Sequence, residues 1–454
     1  MMARVLLSIL LLAVTLVASE KLVVHLKDYK DAPKLKTYLE QHKDASFECI
    51  LSDESRHEQN PILASIYHVH ASSETQRSEM QRALLNLDFI DAAYTKTEPE
   101  LAVMNDEEVV VNHTVSELIN TPLYENMQGY LDEPPFGVGA KYMWSIPGGM
   151  GDDVTIVDVE GGWTLDHEDL HQHGGKLVSG VNRDDTTWLP HGTAVFGEYG
   201  GWMNDFGVTG IASRARTDAS SIFQPSGSAN TPKAIIDAAD YLRPGDIMLI
   251  ELHQIGPNNN YIAVEWWPDN YAALKYATDK GVIVIAAAGN GNQDLDNPVY
   301  DRPQPGFPSS WNNPFRRNPD DSGCVLAGAG APKSGNYGPP RSRLDFSNYG
   351  SAVDAQGWGR EVTTCGYGDL QGGNAKIRYT KQFSGTSSAS PIVVGSIASI
   401  QGALKANNLQ TLTPSTAREA LRNTGSEQQP VSGRPTSQRI GNLPDLEELW
   451  NYVR

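Results

Sequence analysis

The sequence predicts an α/β protein in which a doubly wound, mainly parallel sheet with helices on both faces follows a small ferredoxin-like α+β unit. Three observations point there. Apolar runs at residues 154–157, 247–252 and 282–287 are separated by helix-like stretches such as 232–242 and 271–280, the alternation that builds a parallel sheet buried on both faces. Upstream, strand and helix patterns follow the order β, α, β, β, α, β. The region 134–454 is long enough to enclose one large core.

At the start, Arg4 precedes an apolar run over residues 5–12, interrupted by Ser8 and extended over 14–17, with Ala18 and Ser19 after it. This reads as a secretory signal peptide over residues 1–19, since a membrane anchor needs about 20 apolar residues. Export without a stable membrane anchor is therefore expected. Within residues 20–104, strands are expected at 21–26, 46–51, 66–70 and 91–97, and amphipathic helices at 32–42 and 74–87. Residues 105–133, rich in acids and asparagine, read as a linker, with Asn112, His113 and Thr114 as an N-glycosylation acceptor in a eukaryotic host. In residues 134–454, Pro190 and His191 open a small-residue helix. Residues 392–404 carry apolar positions all round a helix, residues 414–423 read as another, and 446–454 form a terminal segment with no appended domain expected.

Three polar positions stand out against this frame. Ser387 lies between a glycine turn at Gly385 and the apolar helix that follows. There its hydroxyl faces unpaired N–H groups and the positive end of the helix dipole, which suits an oxyanion or simply a helix cap. His191, followed by Gly192 and Thr193, sits at a second helix start. Asp158 ends the first apolar strand of the large region, where a carboxylate either serves a site or caps the next loop. The chain order Asp158, His191, Ser387 is one in which a serine catalytic triad is built.

These segments resemble the subtilisin-like serine proteases, the subtilases of peptidase family S8. Gly385 to Pro391 fits the family's serine motif, His191 to Thr193 its histidine motif, Ile156 to Asp158 its aspartate block, and Ile283 to Asn290 its strand ending in an oxyanion asparagine. The resemblance implies a subtilisin-like fold and a secreted serine endopeptidase made as a zymogen. Ser387 would be the nucleophile, His191 the base, Asp158 the group that orients the imidazole, and Asn290 the oxyanion donor. It sets Glu251, Leu252, His253, Gly256, Ala288 and Gly289 along the substrate. Residues 20–104 resemble the family's inhibitor-I9-like propeptide, which implies protein or peptide substrates and the chain's own propeptide as an intramolecular inhibitor. No cofactor is required for catalysis. Structural calcium is implied at Asp169 and Asn204, where oxygen ligands would suit a hard cation, with ordinary loop polarity as the alternative.

The chain also departs from the family pattern. A small residue and glycine usually follow the aspartate, whereas Asp158 is followed by Val159, Glu160, Gly161 and Gly162; Glu160 reads as a solvated loop charge. Glu251 and His253 replace small residues of the substrate strand and would point to one face by alternation, so substrate preference does not transfer. Lys and Arg total 36 against 55 Asp and Glu, a net charge of -19, which argues against nucleic acid and anionic membranes as partners. Of three cysteines, Cys324 and Cys365 would form one disulfide or remain two buried thiols. Two other functions fit parts of the pattern: a sedolisin-like acid peptidase recruiting Glu160 as its base, and an inactive peptide-binding scaffold.

Overall fold

The computed structural model describes residues 20–41, 45–104, 120–170, 172 and 174–454. The expected signal peptide, most of the linker and the glycosylation acceptor lie outside these residues. The first unit contains β1 (Glu20–Leu26), α1 (Ala32–Glu40), β2 (Ser46–Cys49), a short α2 (Pro61–Ala64), β3 (Ile66–His70), α3 (Glu74–Leu84) and β4 (Ile90–Thr97). Its antiparallel sheet runs β2-β3-β1-β4. Strand alternation divides β1 cleanly: Leu22, Val24 and Leu26 pack on Leu35, Leu39, Met80 and Leu84 of the two longer helices. Val23 belongs instead to a cluster shared with the large region. A short strand β5 (Glu100–Leu101) leaves this unit.

The large region holds α4 (Ala140–Trp144), β6 (Thr155–Glu160), β7 (Gly174–Ser179), α5 (Trp188–Gly200), β8 (Arg216–Ser221), α6 (Thr231–Tyr241), β9 (Ile247–Ile250), β10 (Leu252–Ile255), β11 (Tyr261–Ala263), α7 (Pro268–Asp279) and β12 (Ile283–Ala287). It continues with β13 (Val325–Gly330), β14 (Val353–Trp358), β15 (Val362–Cys365), β16 (Tyr379–Phe383), α8 (Thr386–Ala406), α9 (Pro414–Asn423) and α10 (Leu446–Val453). Seven strands form a parallel sheet in the order β14-β13-β12-β9-β6-β8-β7. On β6, Ile156 faces the core built with α5 and α8, while Val157 and Val159 face the core built with α6 and α7. Helices therefore cover both faces, as the apolar strands demand.

The middle of α8 is buried on every side, so its polar groups need internal partners. Ser396 Oγ donates to Ile392 O at 2.8 Å, Ser399 Oγ to Gly149 O at 2.5 Å, and Gln401 Nε2 to Gly245 O at 2.7 Å. The apolar run over residues 247–252 is not one strand. It breaks at Glu251, and β10 turns away from the parallel sheet to pair with β11 and β5. Among the described residues no helix is long and apolar enough to cross a membrane.

Candidate active site

Strand β6 ends with Asp158 and Glu160 two residues apart, so both project from one face of the sheet. Facing them is His191, in the first turn of α5. The two carboxylates do different things. Trp163 Nε1 donates to Asp158 Oδ2 at 2.8 Å, whereas His191 Nδ1 meets Glu160 Oε2 at 2.5 Å. The expectation that Asp158 orients His191 is corrected: Glu160 is the carboxylate at the imidazole. It is fully buried, so it is no solvated loop charge either. The extra methylene of glutamate spans the added distance from the strand end, and Gly192 leaves room for it. A Cβ on Gly192 would lie 1.9 Å from Glu160 Oε1.

Ser387 is the second residue of α8, behind Gly385 at φ +98°. Its backbone N–H donates to Ala102 O at 3.1 Å. Asn290, beyond the end of β12, is held by its carboxamide oxygen, which accepts from Thr386 N and Thr386 Oγ1, both at 2.9 Å. Its Nδ2 makes no hydrogen bond, and both it and the Ala102 carbonyl crowd Gly385: a Cβ there would lie 2.3 Å from Ala102 O and 3.1 Å from Asn290 Nδ2. Only glycine allows the tail this approach. Ser387 Oγ and His191 Nε2, both buried, are likewise without hydrogen bonds. An uncommitted hydroxyl, an uncommitted ring nitrogen, a backbone N–H on the Ala102 carbonyl and an uncommitted carboxamide nitrogen nearby are the parts of an acyl-transfer site.

The chain's own tail lies in this cleft. Leu101 pairs with Leu252 and Glu100 with His253 in the β5–β10 ladder, and Ala102 N donates to Glu251 O at 3.4 Å. Tyr261 Oη donates to Glu100 Oε2 at 2.6 Å, and Ser384 Oγ to Met104 O at 2.9 Å. Leu252, His253 and the Glu251 carbonyl thus line the chain's own extended tail. The Glu251 and His253 side chains do not reach outward: His253 stacks on Tyr261 with ring centroids 3.8 Å apart, and its Nδ1 accepts from Asn290 N at 3.3 Å. Gly256, Ala288 and Gly289 use their N–H groups elsewhere, on Asn260 O, Ala327 O and Thr386 Oγ1. Sequence reasoning missed Ala102 and Tyr261, which carry no motif of their own, and gave Thr386 no role although it lies within the serine motif.

Beneath the nucleophile the charge balance is unusual. Ser390 Oγ donates to Glu251 Oε1 at 2.7 Å, while Glu251 Oε2 makes no hydrogen bond of normal geometry although Ser387 lies close enough to hold its carboxyl down against burial. Asp158, Glu160, Glu198 and Glu251 are all fully buried, and among the described residues none pairs with lysine or arginine. Burial pushes all four carboxyls well above the usual range, and mutual repulsion adds to this for Asp158, Glu198 and Glu251. Burial also holds His191 down to about 3, which disfavours the imidazolium while the cleft is covered.

Both oxygens of Glu198 lack hydrogen bonds. A carboxyl whose folded pKa is raised contributes stability below its unfolded value of about 4.5 and loses it as pH rises towards the folded value. Glu198→Gln is therefore expected to raise the Tm of the Ser387→Ala precursor by a few degrees at about pH 8 and to leave it nearly unchanged at about pH 4.5. Scanning calorimetry at the two pH values measures this. A pH-independent loss of Tm would contradict it.

The calcium expectation does not fit these residues. Asp169 Oδ1 accepts from Asn204 Nδ2 at 2.9 Å and Oδ2 from Val208 N at 2.7 Å. Asn204 Oδ1 is taken by Phe206 N at 2.7 Å. The carboxylate therefore meets donors where a cation needs oxygens, and ordinary loop polarity accounts for the pair. Among the described residues no group of His, Cys, Asp or Glu is arranged to hold a metal. Cys324 and Cys365 are buried free thiols, not a disulfide.

Comparison with known proteins shows the family. The Subtilase family model matches residues 138–441. The thermophilic serine proteinase of Bacillus sp. (strain AK1) is 27% identical over 330 residues, covering 71% of this chain and 68% of the relative. Thermitase of Thermoactinomyces vulgaris is 28% identical over 312 residues, covering 66% and 90%. Alkaline protease 1 of Emericella nidulans is 25% identical over 276 residues, covering 58% of this chain and 57% of the relative. Among solved structures, the epidermin leader peptide processing serine protease of Staphylococcus aureus superposes with a TM-score of 0.60 at 17% identity, covering 96% and 98% of the two chains. Fervidolysin of Fervidobacterium pennivorans gives a TM-score of 0.57 at 16% identity, covering 96% of this chain and 61% of that one. At these identities the structural likeness speaks to the fold alone.

Proposed function

The chain belongs to the subtilase family, the subtilisin-like serine endopeptidases, and on that premise we propose that it is an exported precursor that cuts itself between Ala102 and Val103. The observation that carries this reading is the 3.1 Å hydrogen bond from Ser387 N to Ala102 O, beside the uncommitted Asn290 Nδ2. Ser387 Oγ attacks the Ala102 carbonyl carbon while His191 Nε2 takes the hydroxyl proton. The carbonyl oxygen becomes an oxyanion between Ser387 N–H and Asn290 Nδ2. His191 returns the proton to the Val103 nitrogen as the C–N bond breaks. Water then releases the Ala102 carboxylate from the acyl-enzyme. Glu160 keeps the Nδ1 proton and ring orientation fixed, and it stabilises the imidazolium as that forms.

Engagement of Glu160 by the imidazole favours a histidine base over a carboxylate base. The tail held along β10 supports the zymogen reading, with residues 20–102 as inhibitor until released. The apolar segment within residues 1–19 supports export. The test compares the full precursor with Ser387→Ala. Wild type is expected to yield a product beginning at Val103 and to label with a fluorophosphonate, while the variant stays intact and unlabelled. A folded wild type that neither matures nor labels overturns the reading; maturation at another bond overturns the Ala102–Val103 assignment.

A further inference from the structure

Beyond Ala102 the tail enters a second space. Val103 and Met104 line a cavity of about 590 Å³ whose other walls include Lys333, Arg360, Glu361 and Lys381. Met104 packs against the small apolar cluster of Ala329, Leu344 and Phe346, and its carbonyl is held by Ser384 Oγ. Three basic side chains, Lys333, Arg360 and Lys381, stand in the lining against one acid, Glu361, in a chain whose net charge is -19. Arg360 lies 5.0 Å from the Phe346 ring centroid, Glu361 is engaged by Ser334 at 2.5 Å, and Lys333 pairs with Asp132 on the rim. Lys381, exposed on β16, projects from the wall without an ion pair among the described residues. The sequence supplies a matching polarity: Asn105 is followed by Asp106, Glu107 and Glu108, the longest uninterrupted run of acids in the chain.

We infer that the leaving-group side of this cleft selects peptides with an apolar residue in the second position after the scissile bond and acidic residues from the fourth. The inference rests on Ala102–Val103 being the processed bond. Met104 shows what the second position buries. An extended chain advances about 3.3 Å per residue, so acids in the fourth and fifth positions lie about 7 and 10 Å beyond Met104, close to one Debye length at moderate salt. The effect is on selection of the peptide rather than on the chemistry of Ser387, because none of the basic residues bonds to the catalytic groups.

The test uses wild-type enzyme matured from the full chain and three internally quenched peptides. All carry residues 99–105 and continue with Asp-Glu-Glu, Asn-Gln-Gln or Lys-Lys-Lys. At low ionic strength kcat/KM for the acidic peptide is expected to exceed that for the neutral one by roughly three- to tenfold, as two or three partly screened charge contacts provide. The ratio should fall towards one in 1 M salt, where the Debye length is about 3 Å. In Lys381→Glu the order should shift towards the lysine peptide. Equal cleavage of all three peptides, or a preference indifferent to both salt and Lys381→Glu, overturns the inference and leaves the peptidase standing. Failure to cleave any of them by enzyme that hydrolyses casein overturns both the Ala102–Val103 assignment and the inference.

Discussion

Replacing Glu160 by glutamine is expected to lower kcat/KM by about 10³- to 10⁴-fold, the scale on which loss of the orienting carboxylate acts in other serine triads. Asp158→Asn is expected to cost less than about tenfold by the same logic. The contrast follows from two contacts: Glu160 Oε2 lies 2.5 Å from His191 Nδ1, while Asp158 Oδ2 is occupied by Trp163 Nε1. A glutamine keeps the size of Glu160 but offers no negative charge to the imidazolium, and its NH₂ group can trap the ring in the wrong tautomer. Glu160→Asp should lie between these extremes, because it retains the charge and withdraws it by one methylene from a ring it now only just reaches. Active-site-titrated kinetics on matured enzyme measure all three. Where a variant matures too slowly, the rate of conversion of precursor on gels gives the same ranking. Loss of activity in Asp158→Asn on the scale expected of Glu160→Gln would contradict the assignment.

Why the sequence misdirects here is a matter of period. Residues two apart on a strand share a face, so a carboxylate at position 158 and one at 160 are both directed towards α5. The apolar run ending at Asp158 favours the first; the glycines at 161 and 162, which let the chain turn beneath the histidine helix, favour the second. The decisive signal was present as the pair of glycines behind Glu160. Ser387, His191 and Asn290 were legible because each sits where a strand or helix end forces it into a cleft. The calcium pair was not, since oxygen-bearing residues at a loop say nothing about whether the oxygens already hold N–H donors, as Asp169 does.

Legibility of the fold divides on similar lines. The apolar strands β6, β9 and β12, the helices α6 and α7, and every principal element of the first unit follow from periodicity, and α9 spans the residues expected. The strands that went unnoticed carry little apolar patterning. β8 reads Arg-Thr-Asp-Ala-Ser-Ser and is buried nonetheless, because Asp218 accepts from Lys176 N at 2.9 Å and Tyr241 Oη at 2.8 Å, and Ser220 donates to Ala234 O at 2.9 Å. β13, Val-Leu-Ala-Gly-Ala-Gly, is small so that α8 can approach the sheet. Polar and small strands are stable inside a sheet whose neighbours supply both ladder and partners, which no local pattern records. The polar side chains on the inner face of the first unit were a readable sign of an interface: Lys21, His25, His68 and Lys96 share the face opposite its own core.

That interface carries the second large expectation. Acidification from about pH 7 to pH 5 is expected to weaken the hold of the severed first unit on the large region by about 10²- to 10³-fold. Asp269, at the start of α7, sits at its centre, bonded by Lys96 Nζ at 2.7 and 2.9 Å and His68 Nε2 at 2.9 Å, with Tyr94 Oη at 3.3 Å. His25 Nε2 lies 3.2 Å from Tyr94 Oη. The groups facing His68 are Asp269, Lys21 and Lys96; those facing His25 are Tyr94, Asp269 and Lys96. Lys21 is itself tied to the Ala229 carbonyl and Glu98. Burial, chiefly, holds both histidines down to about 4 against an ordinary 6.5. Lowered values mean that the docked state binds fewer protons than the separated parts between pH 6.5 and 4. Its stability is full above 6.5 and is lost as pH falls towards 4, by at most about 3 kcal/mol for each histidine. Asp269, held well below the usual carboxylate range mainly by Lys96 and His68 against burial, stays charged throughout this window, and Lys96, lowered to about 8, stays protonated. Of the groups clustered at Asp269, the change therefore belongs to His25 and His68. Enzyme matured at neutral pH should elute with its cleaved first unit on gel filtration and show little peptidase activity, then separate and gain activity after transfer to pH 5. The double variant His25→Gln, His68→Gln should release its first unit at rates nearly independent of pH. Equal release by wild type at pH 7 and pH 5, or a pH dependence that survives in the double variant, would contradict this account of what holds the cleft closed.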